Sequence, residues 1–262
     1  MELKELIAFK EDKKEARKFA SANRKAILSQ KKMGIKHGGG LILPTNATQT
    51  QKAKMQEGSS LVLDVVGNSC GFMDSHLDVS LKGSFTRIVN GGAKNARFLE
   101  DHKQLVCGII GTNKGVRVEE VSIRQLGYDK DGSTECFIMT VEPKEKYNKS
   151  TYYKYQDGEI KEHSIGLMYD KITLAVNDPY DKEGYEDWQK YIGQVINREV
   201  AEDYGFFFPV IEQKVLEMSA VVFGSNEYTP ILGAAKNFIP IVEPKSSNEK
   251  SKDFYEYLKS LK

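Results

Sequence analysis

Three side chains far apart in the sequence carry the groups that acyl transfer needs: the hydroxyl of Ser164, the imidazole of His102 and the carboxylate of Glu217. Ser164 lies in Glu159-Ile-Lys-Glu-His-Ser-Ile-Gly-Leu167, which reads as a strand entered from a turn at Asp157-Gly158. Side chains on a strand alternate faces, so Ser164 shares one with Glu162, Gly166 and Met168, while His163 points the other way. Gly166 is expected to leave open space beside the hydroxyl, which a substrate backbone could occupy. With His163 turned away, a base for the serine has to come from another part of the chain.

Of the four histidines, His37 lies in a glycine-rich linker and His76 in the turn Asp74-Ser-His-Leu-Asp78. That leaves His102, at the lip of the strand expected to begin at Leu105, where an imidazole can act as a general base near neutral pH. Glu217 is the most unusual polar residue, because it interrupts Lys214-Val-Leu-Glu-Met-Ser-Ala-Val-Val-Phe223, a strand otherwise fit for full burial. An unpaired carboxylate there would cost several kcal/mol, so it requires a partner. A histidine that becomes charged in a reaction is one such partner; a lysine or a set of backbone amides is the other. A serine needs a base to remove its proton, and that base needs a third group to fix its tautomer, so the three residues form a complete set. Their order along the chain, histidine then serine then acid, matches none of the chymotrypsin, subtilisin or α/β-hydrolase orders, and no Gly-x-Ser-x-Gly elbow is present.

The elements that must position these groups are mostly strands. Leu61 to Gly67, Leu105 to Ile110, Val116 to Arg124 and Cys136 to Thr140 are short apolar or alternating runs, punctuated by turn signals at Gly111, Asp129 to Gly132 and Asp157-Gly158. Gly83 to Asn90 and Pro230 to Phe238 read as short helices, and Gly91-Gly92 as a turn. Residues 177–208 read as a helical insertion with Trp188, Ile192, Val195 and Val200 on one face. The expected class is α+β and β-rich, a closed or nearly closed β-barrel with peripheral helices. Three regions are expected: a basic helical arm and Gly/Thr/Gln-rich linker over 1–57, the strand-rich domain over 58–240, and a polar tail over 241–262 that ends in a helix from Lys252 to Leu261.

Bulk properties narrow the function classes. The formal net charge of +1 gives no reason to expect a polyanionic partner, although the first forty residues are locally basic. Three cysteines with no Cys-x-x-Cys unit indicate neither a disulfide framework nor a structural zinc site, and fit a reducing compartment. Cys107, five residues from His102, is not thereby juxtaposed with it. Gly108 to Lys114 has the wrong glycine and lysine spacing for a phosphate loop. No apolar run is long enough to span a membrane, and the first twenty residues lack the apolar centre of a signal peptide.

Four blocks, in order, carry a family resemblance. They are Asp74 to Asp78 with Lys82-Gly-Ser-Phe85; Leu99-Glu-Asp-His102 with Ile109-Ile-Gly111; Lys161-Glu-His-Ser-Ile-Gly-Leu167; and Leu216-Glu-Met-Ser-Ala-Val-Val222 with Ser225-Asn226. Together, over about residues 60 to 236, they resemble the tailed-phage (caudovirus) prohead maturation serine proteases, which are similar in fold to the herpesvirus capsid proteases, the assemblins. Two departures stand out: His163 replaces a residue that is commonly apolar or neutral, and the 177–208 helix lengthens the gap between serine and acid. The resemblance implies Ser164 as nucleophile, His102 as general base and Glu217 as orienting acid. It also implies an oxyanion hole of backbone amides near Gly224, with Gly166, Ser225 and Asn226 as substrate-side residues, and no metal or cofactor. The implied function is a serine endopeptidase of the procapsid interior or host cytoplasm, not secreted, with the phage scaffold and major capsid protein as substrates. It would also cut itself, with residues 36–57 as the natural zone, and form a homodimer or higher oligomer. No membrane and no specific nucleic acid is implied. The alternative is a catalytically silent protease-like scaffold-binding protein.

Overall fold

The computed structural model describes residues 12–34, 36, 52–54, 61–88, 93–234 and 239–241. Two helices come first, α1 (Lys13–Ala22) and α2 (Arg24–Met33), followed by strands β1 (Lys52–Lys54), β2 (Leu63–Ser69), β3 (Asp78–Ser80), β4 (Arg97–Glu100), β5 (Ile109–Ser122) and β6 (Ser133–Pro143). Helix α3 (Lys149–Gln156) leads into β7 (Glu162–Ile172) and β8 (Ala175–Val176). Helices α4 (Lys182–Tyr191) and α5 (Arg198–Tyr204) then precede β9 (Phe206–Val221), β10 (Ile231–Ala234) and β11 (Ile239–Ile241).

Local chemistry sets the helix ends. Asp12, Asn148 and Asp181 each accept a hydrogen bond from a backbone amide in the first turn of α1, α3 and α4, at 3.0 Å. Helix α5 ends at Gly205, which takes the left-handed conformation (φ 70°) that a side chain disfavours.

Nine strands form one mixed sheet in the order β10-β2-β6-β5-β4-β9-β3, with β7 and β8 also paired to β9. The long strand β9 is the hub. Its second half lies between β4, parallel to it, and β7, antiparallel to it. Its first half pairs with β3 and β8. The sheet is not a closed barrel, because its hydrogen-bonded path has free ends at β10 and β3. It curls instead and packs on itself: a Cβ added to Gly67 on β2 would lie 2.4 Å from Met218 Cε on β9 and 2.8 Å from Ile165 Cγ2 on β7. The main core fills that fold with Leu63, Val65, Phe137, Met139, Ile165 and Met218, and the helices are peripheral. None of the described helices is long and apolar enough to cross a membrane.

Several expected elements differ. Gly111 is not a turn; β5 runs through it, and its missing side chain lets the backbone of Glu142 approach, since a Cβ would lie 2.4 Å from the Glu142 oxygen. The segment from Ile231 is a strand paired with β2 rather than a helix. Phe206, Phe207 and Phe208 belong to β9, not to the helical insertion. Among the described residues of the expected 83–90 helix, 86–88 are helical and 83–85 form a turn. The Gly91-Gly92 turn, the boundary near residue 57, most of the linker and the helix from Lys252 lie outside the described residues.

Gly67→Ala is expected to force Met218 and Ile165 apart and to cost about 1–3 kcal/mol of stability, read as a lower urea midpoint with unchanged slope.

Candidate active site

The sheet brings the singled-out residues into two adjacent rows on one face. In the first row Ser164 on β7 is opposite Ser219 on β9, which is opposite Leu99 on β4. In the second, Gly166 is opposite Glu217, which is opposite Arg97. Directly opposed residues in an antiparallel pair have Cβ atoms about 4.5–5.5 Å apart, which sets the separation of Ser164 from Ser219.

His102 reaches this face from the loop that follows β4. Asp101 and His102 both have positive φ, 47° and 54°. Two successive non-glycine residues in that region carry strain on the order of 1–3 kcal/mol each. The turn is held by Asp101 N donating to Ala220 O at 3.0 Å and Lys103 N donating to Glu100 O at 2.9 Å. Glu100 is itself fixed from α3, accepting from Thr151 Oγ1 and from Asn148 Nδ2. The result aims the imidazole back over β9, where His102 Nδ1 lies 2.6 Å from Glu217 Oε1. Both side chains are buried. An ionised carboxylate only accepts, so it fixes the proton on Nδ1 and makes Nε2 the basic nitrogen of the ring.

Ser219 is the residue that sequence reasoning missed. Its hydroxyl donates to Glu217 Oε2 at 2.7 Å and accepts from the backbone amide of His102 at 3.1 Å. One side chain thus holds both the acid and the loop of the imidazole. The signal was present: a serine two residues beyond a buried strand glutamate shares its face.

The role expected for Gly166 changes. The space beside its backbone is filled by the Glu217 carboxylate, and an added Cβ would lie 2.2 Å from Oε1. Ser164 itself is only 4% exposed. A cleft of about 340 Å³ lined by Arg97, Leu99, Leu105, Val106 and Glu217 opens on the β4 side of the acid, and Ser164 is not among the residues that line it. Leu105 and Val106 are 67% and 88% exposed.

The loop after β9 is tied down on several sides. Gly224 N donates to Glu162 Oε2 at 2.8 Å, so this candidate oxyanion amide already has an acceptor. Asn226 is buried, its side chain bonded to both the hydroxyl and the carbonyl of Ser69 and to Tyr228 N. Ser225 is buried and its carbonyl accepts from Ser75 N at 3.0 Å. Thr229 Oγ1 donates to His163 O and accepts from His163 N. His163 lies on the far face, fully buried, with Nδ1 donating to Thr229 O at 3.3 Å and Nε2 accepting from Tyr155 OH at 2.9 Å. Burial pushes its pKa down from 6.5 to about 4. Glu227 moves the other way: burial and the nearby charge of Glu162 push it up to about 7. His76 is on the acidic turn, and burial lowers its pKa. Among the described residues, no group of His, Cys, Asp and Glu is arranged to hold a metal ion.

Gly166→Ala is expected to displace the Glu217 carboxylate and break its bond to His102. The parent protein should show by NMR the low-field proton signal of a short imidazole–carboxylate hydrogen bond, and that signal should vanish in the variant.

The two shifted pKa values give opposing acid responses. Below about pH 6.5 the unfolded chain protonates His163 more readily than the folded one, so stability falls as pH drops towards 4, by about 3 kcal/mol in all. Glu227 binds its proton more tightly when folded, so its contribution is lost as pH rises from 4.5 through 7 and regained on acidification. Urea unfolding between pH 7 and 4.5 should therefore show a steeper acid loss in Glu227→Gln than in the parent.

No protein-family model, no curated protein and no solved structure matches this chain.

Proposed function

We propose that the protein is a serine endopeptidase in which Ser164 attacks the peptide carbonyl, His102 transfers the proton and Glu217 orients and balances the imidazole. The observation that carries this reading is the 2.6 Å bond from His102 Nδ1 to Glu217 Oε1, on the sheet face from which Ser164 projects. In this scheme the Ser164 oxygen bonds to the carbonyl carbon, its proton moves to His102 Nε2, and the imidazolium returns that proton to the leaving amine. Water then repeats the sequence and releases the acyl group. Glu217 stays ionised and stabilises the transient positive charge.

The biological setting rests on the four sequence blocks. By that resemblance the substrates are scaffold and capsid-protein extensions inside an assembling phage head, together with the chain itself. By the same resemblance the fold is herpesvirus-protease-like, a reading with which the mixed sheet and its peripheral helices are compatible. A second reading, a catalytically silent scaffold-binding protein, is favoured by two observations: the slight exposure of Ser164 and the occupation of the Gly224 amide by Glu162.

The two readings separate in one comparison of the parent with Ser164→Ala and Glu217→Gln. The peptidase reading expects self-trimming on a gel and labelling of Ser164 by a fluorophosphonate. Rates should fall on the order of 10⁶-fold without the serine and about 10⁴-fold with the neutral amide at 217. A well-folded parent that neither trims nor labels after long incubation overturns it in favour of the silent protein.

A further inference from the structure

The N-terminal helices are joined to the rest of the protein by charge pairs spaced along their length. Lys13 on α1 pairs with Asp203 on α5. Arg24 on α2 pairs with Asp181, the capping residue of α4, at 3.4 Å, and Asp181 also accepts from Ser21 Oγ at 2.6 Å. Lys31 pairs with Asp78 on β3. Lys36 pairs with Asp74 and, at 2.9 Å, with Asp78. At all four points the cation is on the N-terminal segment and the carboxylate on the body.

The last two points are deeply buried. The side chains of Lys31, Lys36, Asp74 and Asp78 are all less than a tenth exposed. Tyr169 on β7 donates to Asp78, and Lys31 Nζ stands 4.1 Å from the centre of the Phe208 ring. Burial works against charge on Lys36, yet the two aspartates hold its pKa up to about 12. Between the charge pairs, Ala16, Ala20 and Ile27 enter the main core. At the end of the segment the backbone of Lys36 exchanges two hydrogen bonds with Leu167, on the outer edge of the strand that carries Ser164.

A buried charge stripped of its partner is strongly unfavourable, so separating the segment from the body would leave uncompensated charges on both sides. None of these contacts runs through the chain between Lys36 and Lys52. We propose that the carboxylates of Asp74, Asp78, Asp181 and Asp203, with the β7 edge at Leu167, form a docking surface specific for residues 12–36. That surface keeps the segment bound when the chain is cut between Lys36 and Lys52. Processing in that stretch would then yield a two-chain complex, not a released arm. The inference goes beyond the peptidase reading and does not depend on it.

The test uses the full-length chain with Ser164→Ala, so that any activity of its own is irrelevant. A recognition sequence for a site-specific protease is inserted after Gly40 and cut to completion, as judged on a denaturing gel. Gel filtration at about 1 µM should then return both fragments in one peak at the uncut position. Separate elution of the N-terminal fragment overturns the proposal. In the same cut protein, Asp78→Asn should weaken retention at least about 100-fold. Undiminished retention in that variant overturns the role given to the buried charges.

Discussion

The site depends on where the carboxylate of Glu217 can be placed. It is buried inside a strand, where an unsatisfied charge would cost several kcal/mol, so both oxygens must be matched. Oε1 receives His102 Nδ1 and Oε2 receives the Ser219 hydroxyl. The volume it occupies exists only because position 166 on the neighbouring strand has no side chain. Two strands and the loop after β4 therefore meet a single requirement, and no one of the four residues is adjustable alone. The strain at Asp101 and His102 belongs to the same arrangement. The bonds from their amides to Ala220 O and Ser219 Oγ are what hold that turn over the acid.

Topology supplies the convergence. A strand with one parallel and one antiparallel neighbour can gather residues that no hairpin could join, because a parallel pairing requires a long crossover. Here β9 has β4 on one side and β7 on the other, so the histidine that follows β4 and the serine within β7 approach the acid from opposite flanks. The intervening chain is used rather than looped out. Helix α3 anchors Glu100 at the start of the histidine turn, and its Tyr155 satisfies the ring of His163 behind the serine.

What could be read in advance follows from which signals are local. The alternation of β7 is a two-residue period, so the sidedness of Ser164 and His163 was legible from the stretch itself. The demand of Glu217 for a partner was equally legible, though a histidine, a lysine or a set of backbone amides would each meet it. Glycine was the ambiguous letter. At Gly166 the absent side chain admits a carboxylate rather than a substrate, and at Gly111 it admits a neighbouring backbone rather than a turn. The left-handed pair at 101–102 carries no glycine to announce it. Short parallel strands such as β3 and β4 have too few residues to show a period, and without them the closure of the sheet could not be judged.

The geometry also limits where the site can rearrange. The proposed acyl transfer would require a carbonyl to reach Ser164 and an amide to face the developing oxyanion, while Ser164 is nearly enclosed and Gly224 N already donates to Glu162. The far end of that loop is pinned by Asn226 to β2 and by Thr229 to β7, through buried hydrogen bonds on both sides. Its near end is held by Glu162, a half-buried carboxylate whose pKa burial raises against the pull of the Gly224 amide. Next to it Val222 and Phe223 are 73% and 51% exposed. Movement that frees the amide is therefore cheapest at residues 222–224, where the loop has the least packing to break. A substrate that covers those two apolar side chains would stabilise the moved loop in proportion to the surface it removes from water.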